Sequence, residues 1–282
     1  MANIKLAYNP ENKDRAKNFS AFSPEVAEVL LARGFVTEEE MEAFARREPG
    51  KVTGEMKDAR KAVDLLSHAI RKRQKIVLYS DTDADGCMSA VVGMKLLRGL
   101  GADVSYYTNN RFDDGYGLCR NGIDQILERW PEVSLVLTAD NGIAAPDIAY
   151  AKEKGLVVVV TDHHEPQEVL PAADALVDPK QEDCSYSFKD LCGAGVLYKV
   201  LQLLYGEMGE DVRKTAKVIP YVAVATVGDI VPLRGPNRYL AHQGLKMINE
   251  KKIPAFELLK KKLGIRRFDA HNSISYTLVP MI

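Results

Sequence analysis

The stretch Ile76-Val77-Leu78-Tyr79-Ser80-Asp81-Thr82-Asp83-Ala84-Asp85-Gly86 joins an apolar run to three carboxylates on alternate residues. If the chain stays extended, that alternation aims Asp81, Asp83 and Asp85 to one side, because side chains repeat every second residue along a strand. Like charges this close repel, so a cation is expected between them, and carboxylate oxygens suit a divalent metal. The alternative is an acidic turn in which one Asp caps a helix opening at Gly86 and Cys87.

Downstream, apolar runs alternate with helical patterns. Strands are expected over 76–80, 104–108, 134–138 and 156–160, with one more at 175–177. Helices are expected over 86–100, 123–129 and 145–154. Runs such as Val157-Val158-Val159-Val160 are continuous rather than alternating, so both faces of the strand should be buried. The fold class is therefore α/β, a mostly parallel sheet with helices on both faces. In such folds ligands bind beyond the carboxyl ends of the strands. There the sequence places Asp81, Asp83 and Asp85, then Thr108-Asn109-Asn110-Arg111, then Ala139-Asp140-Asn141-Gly142, then Thr161-Asp162-His163-His164. One such turn is an ordinary helix cap; four in register at one edge form a site.

Before the sheet, residues 1–20 read as an irregular lead-in. Ser23-Pro24 starts a helix that ends at Arg33-Gly34, and Thr37-Glu38-Glu39-Glu40 opens another as a capping box. These form an N-terminal helical extension over 1–57, ahead of a domain over 58–282 that begins with a helix from Asp58 to Lys72. The last third is mostly helical. Gly193-Ala194-Gly195 opens one helix, whose N–H groups could hold a phosphate; another is expected over 215–230 and a third over 238–249. Asp229 is the only charge between Ile219 and Leu233. Desolvation there demands a metal or a partner such as Arg234. Ser275 to Val279 reads as a strand.

Composition excludes little. The chain has 282 residues, 46% hydrophobic and 27% charged, and 38 basic against 39 acidic side chains. That balance neither indicates nor forbids nucleic acid, since local patches and bound ions can supply positive field. Cys87, Cys119, Cys184 and Cys192 form no C-x-x-C pair and read as reduced thiols. The chain shows no signal peptide and no membrane-spanning run, so the expectation is a cytoplasmic protein with no membrane partner.

Asp83, Asp85, Asp140, His163 and Asp229 together make a mixed oxygen and nitrogen donor set. It suits manganese or magnesium better than structural zinc, and the carboxylates suffice for two ions. Two adjacent ions serve displacement at phosphorus. His164 would then donate to a phosphate oxygen or protonate the leaving group, and Asp162 would orient an imidazole.

These motifs, with Asn110-Arg111, Gly115-Tyr116-Gly117-Leu118, Leu191-Cys192-Gly193-Ala194-Gly195-Val196 and Gly228-Asp229-Ile230-Val231-Pro232-Leu233, resemble the DHH phosphoesterase superfamily. Within it the chain is most similar to the RecJ type of single-strand-specific 5′→3′ exonuclease. The resemblance implies Asp83, Asp85, Asp140, His163 and Asp229 as ligands of two ions, Mn2+ or Mg2+, with Asp81 as a supporting or alternative ligand. It implies His164 and Arg111 as phosphate contacts, Arg111 towards the 5′ end. Tyr79 stands where related phosphoesterases often place a metal-binding His, which leaves one ion to looser binding or to Asp81. The family continues into a DHH-associated domain and an oligonucleotide-binding fold, expected to be absent from this chain. The implied activity is release of 5′-mononucleotides from single-stranded DNA in repair and recombination, with repair or single-strand-binding proteins as partners. Alternatives are a phosphodiesterase for short oligonucleotides or cyclic dinucleotides, and an inactive scaffold. A hydride-transferring enzyme is disfavoured because no G-x-G-x-x-G turn is present.

Overall fold

The computed structural model describes residues 10–108 and 117–282. Four helices precede the sheet: α1 (Pro10–Ala16), α2 (Pro24–Ala32), α3 (Glu38–Arg46) and α4 (Ala59–Arg71). Helix α1 falls in the expected irregular lead-in; it forms because Ala16 is buried against α2 in a small core with Ala27, Leu30, Leu31, Phe35 and Met41. Ser23 caps α2, and Thr37 with Glu40 forms the capping box of α3.

The sheet elements follow as β1 (Lys75–Ser80), α5 (Ala84–Gly99), β2 (Val104–Tyr107), α6 (Arg120–Arg129), β3 (Val133–Ala139), α7 (Ile148–Glu153), β4 (Val157–Thr161) and β5 (Ala175–Val177). The five strands lie in the order β2-β1-β3-β4-β5, and every pairing is parallel. Successive residues of one strand enter opposite cores. Ile76 and Leu78 pack with α4, α5 and the later helices, while Val77 and Tyr79 pack with α6 and α7. Each fully buried Leu or Ile contributes roughly 1.5–3 kcal/mol relative to exposure. This two-sided burial explains why the strands read as continuous apolar runs.

The register places Ser80 beside Ala139 and Thr161 beside Val177, so the loops after β1, β3, β4 and β5 leave the same edge. Helix α8 (Gly193–Glu207) then crosses the core face, and α9 (Ile219–Gly228) and α10 (Gly235–Glu250) pack around it. The helix expected over 215–230 is divided: a tighter 3₁₀ segment spans Val212–Val218, and α9 starts with Pro220 in its first turn. Helix α11 (Pro254–Leu263) carries Lys260, Lys261 and Lys262 in its last turn, where they complement the helix dipole.

The strand expected at Ser275 to Val279 is not one. Residues Ala270–Leu278 wind as a helix with i→i+5 spacing, capped where Asp269 accepts the Asn272 N–H at 2.7 Å. Buried Ile274 and Leu278 stand four residues apart, a helical interval, while Tyr276 between them is exposed. No helix among the described residues is long and apolar enough to cross a membrane.

Candidate metal centre

Strand β1 ends at Ser80, so the three aspartates do not continue it. Asp83 caps α5, its Oδ1 accepting the Gly86 N–H at 3.0 Å, and Asp85 lies in the first helical turn. The strand alternation is thus corrected: the cap and the metal readings coexist, with the aspartates splayed around a loop-to-helix corner. Gly86 permits that corner, because a Cβ there would sit 2.3 Å from the Asp81 carbonyl oxygen.

Asp140 follows β3 with φ +65°, a left-handed conformation uncommon outside glycine. Its N–H bonds to Thr161 O at 3.0 Å. Asn141 donates to Tyr79 O and Ala139 O at 3.2 and 3.1 Å, tying the β1 and β3 ends together. His163 follows β4; its Nε2 lies 3.1 Å from Asp140 Oδ1 and 3.8 Å from Asp85 Oδ2. Its Nδ1 lies 3.7 Å from Asp229 Oδ2, at the C-terminal end of α9. Five predicted ligands therefore converge from four segments. Three donor groups can be drawn, each with its atoms within 4.8 Å: Asp81, Asp83 and Asp140; Asp85, His163 and Asp229; Asp140, His163 and His164.

Both oxygens of Asp140 and Nε2 of His163 are buried without a hydrogen-bond partner. Native proteins rarely leave such atoms orphaned. Burial pushes the Asp85 carboxyl up to about 7, and that of Asp229 to about 6 with the Asp83 charge adding to it. Burial and the charges of Asp85 and Asp83 raise Asp140 well above the ordinary range. Burial holds His163 down to about 4, which leaves its imidazole neutral and able to act as a ligand. A buried neutral imidazole among strained carboxylates, with orphaned atoms facing each other, fits hard divalent ions.

Asp162 faces the other way around the same loop. Its Oδ1 stands 2.7 Å from His164 Nδ1 and accepts the His163 N–H, while Oδ2 accepts the Ile143 N–H at 2.8 Å. Burial would raise this carboxyl, but those hydrogen bonds outweigh it and hold it below the ordinary range. In return Asp162 raises the His164 pKa.

Two expectations change. The Gly193 and Ala194 N–H groups donate to Asp85 at 2.6 and 2.9 Å. The first two N–H groups of α8 therefore serve the chain's own carboxylate, so the Gly193 N–H expected to meet a phosphate is engaged by Asp85. Gly193 is demanded by space instead, since a Cβ there would meet Asp140 at 2.5 Å. Arg234 does not pair with Asp229; it stacks over Phe35 and donates to Arg33 O. Tyr79 turns into the opposite core, its hydroxyl donating to Gly117 O at 3.0 Å, while Asp81 stands in the group with Asp83 and Asp140. Arg111, with Asn110, Gly115 and Tyr116, lies outside the described residues.

Asp178 was not anticipated. It follows β5 in the same pattern as the other strand ends, is fully buried, and leaves Oδ2 unpartnered. The signal was the strand-end position itself, obscured because β5 has only three residues.

Residues 75–226 match the family model described as DHH family, N-terminal domain. The single-stranded-DNA-specific exonuclease RecJ of Bacillus subtilis (strain 168) is 36% identical over 278 residues, covering 96% of this chain and 34% of that protein. The protein of the same name from Haemophilus influenzae is 42% identical over 196 residues, covering 66% of this chain and 34% of that protein. The chain thus spans about a third of the length of these curated relatives. A crystal structure of RecJ in complex with Mn2+ from Thermus thermophilus matches over 98% of this chain and 39% of that one, with TM-score 0.77 and 26% identity.

Proposed function

The chain belongs to the DHH family, and from that premise we propose that it is the core of a metal-dependent nuclease that hydrolyses single-stranded DNA from its 5′ end and releases 5′-mononucleotides. The observation that carries this reading is the pair of orphaned buried groups, Asp140 and His163, facing each other at 3.1 Å between further carboxylates. A closed structural role would have satisfied those atoms. Relatives named as single-stranded-DNA-specific exonucleases, and a relative solved with Mn2+, supply the substrate class and the ions, Mn2+ or Mg2+.

Asp81, Asp83 and Asp140 would hold one ion, and Asp85, His163 and Asp229 the other. When bound, the pair would supply a water activated for attack and neutralisation of charge on the phosphoryl group. The residues of the chain do the rest. Asp85 is oriented by the α8 N–H groups, so its oxygens are aimed before any ligand arrives. Asp162 fixes the His164 ring and favours its protonated form, from which it donates to a phosphate oxygen or the leaving oxygen. Arg111 keeps the role implied for it, a phosphate contact near the 5′ end. Helices α1 to α3 would be an extension to a phosphoesterase domain at 58–282, and the cytoplasm the working compartment. Repair and single-strand-binding proteins are the proposed partners.

Digestion of 3′-labelled single strands in Mn2+ tests the reading. Mononucleotides should appear first from the 5′ end, with the labelled strand shortening progressively. Release of long internal fragments, or equal attack from 3′ ends, would overturn it.

A further inference from the structure

Beyond β5 the chain makes a fixed turn. Asp178 Oδ1 accepts the Lys180 N–H at 2.7 Å, and Gln181 Nε2 donates to Leu176 O at 2.8 Å and Asp178 O at 3.3 Å. Asp178 and Gln181 are buried, so the backbone that carries Lys180 is held in place. The Lys180 side chain is 24% exposed, and its ammonium lies 3.0 Å from Glu165 Oε1, whose side chain is 82% exposed. Glu165 directly follows His164.

This pair is asymmetric. The lysine rises from a fixed backbone and is largely enclosed, paired to the residue that follows His164, while that carboxylate partner stands in solvent. Ion pairs with so exposed a partner contribute little and exchange readily. A nest of carboxylates also repels a polyanionic strand, which a fixed cation at the rim would offset.

We propose that Lys180 binds the substrate strand. Its ammonium leaves Glu165 for a non-bridging oxygen of the phosphodiester next to the one being cleaved, and Glu165 holds the place of that phosphate when no strand is bound. The inference rests on the nuclease reading of the same site.

The test uses the full chain with Lys180→Met, Lys180→Arg and Glu165→Gln. Binding of a 5′-phosphorylated, 3′-fluorescein single strand is followed by anisotropy in chelator over a range of salt, and hydrolysis of the same strand is followed in Mn2+. Lys180→Met should weaken binding about tenfold and raise KM with kcat little changed, as for loss of one charge-assisted contact. Its salt slope should fall by about 0.7, one phosphate on a single strand. Lys180→Arg should restore most of the affinity. Glu165→Gln should tighten binding two- to threefold, roughly the effect of removing a weak competing partner. Unchanged affinity and slope in Lys180→Met would overturn the proposal, as would weakening by Glu165→Gln, which would mark the pair as a structural staple. Failure of the wild type to release mononucleotides counts against the nuclease reading, while the binding arm still decides on Lys180.

Discussion

Asp140 has both carboxylate oxygens buried and without hydrogen-bond partners, 3.1 Å from His163 Nε2 and within reach of the Asp85, Asp83 and Asp81 charges. Removing its charge relieves repulsion that otherwise takes a bound cation or a proton to offset. Asp140→Asn should therefore reduce Mn2+-dependent turnover by about 10³-fold, while in chelator its Tm rises by about 2–4 °C. Activity assays paired with thermal melts check this; a variant that melts lower in chelator would contradict the electrostatic account. The pH dependence follows from the same groups. Asp85 and Asp178 stand at about 7 through burial, above their ordinary 3.8. A carboxyl raised on folding adds stability that is complete below its unfolded pKa and is lost as pH rises through its folded pKa. Asp140 and Asp229 act in the same sense, and so does His164, raised by Asp162. His163, depressed to about 4 from 6.5, opposes them only as pH falls below 6.5. Metal-free protein should therefore lose stability from pH 6.5 to about 8, and Mn2+ should reverse the loss because it takes the deprotonated ligands. Melts at the two pH values, with chelator and with Mn2+, give the comparison; a chelated protein that gains stability over this interval would refute it.

Among the elements, the start of α8 is the decisive one. Its first two N–H groups hold Asp85, and Gly193 leaves no room for a Cβ against Asp140. Gly193→Ala should push this helix end from the cluster, with a loss of about 1–3 kcal/mol and weaker Mn2+ binding by calorimetry. Gly195→Ala is the control: its Cβ would meet nothing closer than 3.4 Å, so helix propensity should make it neutral or stabilising. If both variants behave alike, the close packing of Gly193 on Asp140 does not matter. The strand ends were legible because both faces of the central strands are covered, which turns them into largely apolar runs and leaves the charged residues of the site at their termini. The link from Asp85 to α8 was not, for it joins residues 108 positions apart and leaves no local pattern. Residues Ala270–Leu278 misled for another reason: a short β-branched and aromatic segment fits a strand by propensity, and only burial of Ile274 and Leu278 decides for a helix.

At the scale of the molecule, the N-terminal helices are fastened to α10 by cations over rings. The Arg238 guanidinium lies 3.8 Å from the Phe44 ring centroid, and its Nε donates to Phe44 O at 3.0 Å. Arg238→Ala should speed proteolysis around Pro49 to Gly54, with the main melting transition changed by no more than about 1 kcal/mol. A single cooperative loss of the whole fold would instead make the helices integral to it. The donor set itself is dispersed along the chain. Asp81, Asp83, Asp85, Asp140 and His163 precede the exposed loop containing Val169, whereas Asp229 and the N–H groups of Gly193 and Ala194 come after it. A backbone cut in that loop would leave two fragments, neither owning a complete site. Capture of the second ion, which needs Asp229, would then return only when the halves meet, so the sheet edge would work as a molecular AND gate.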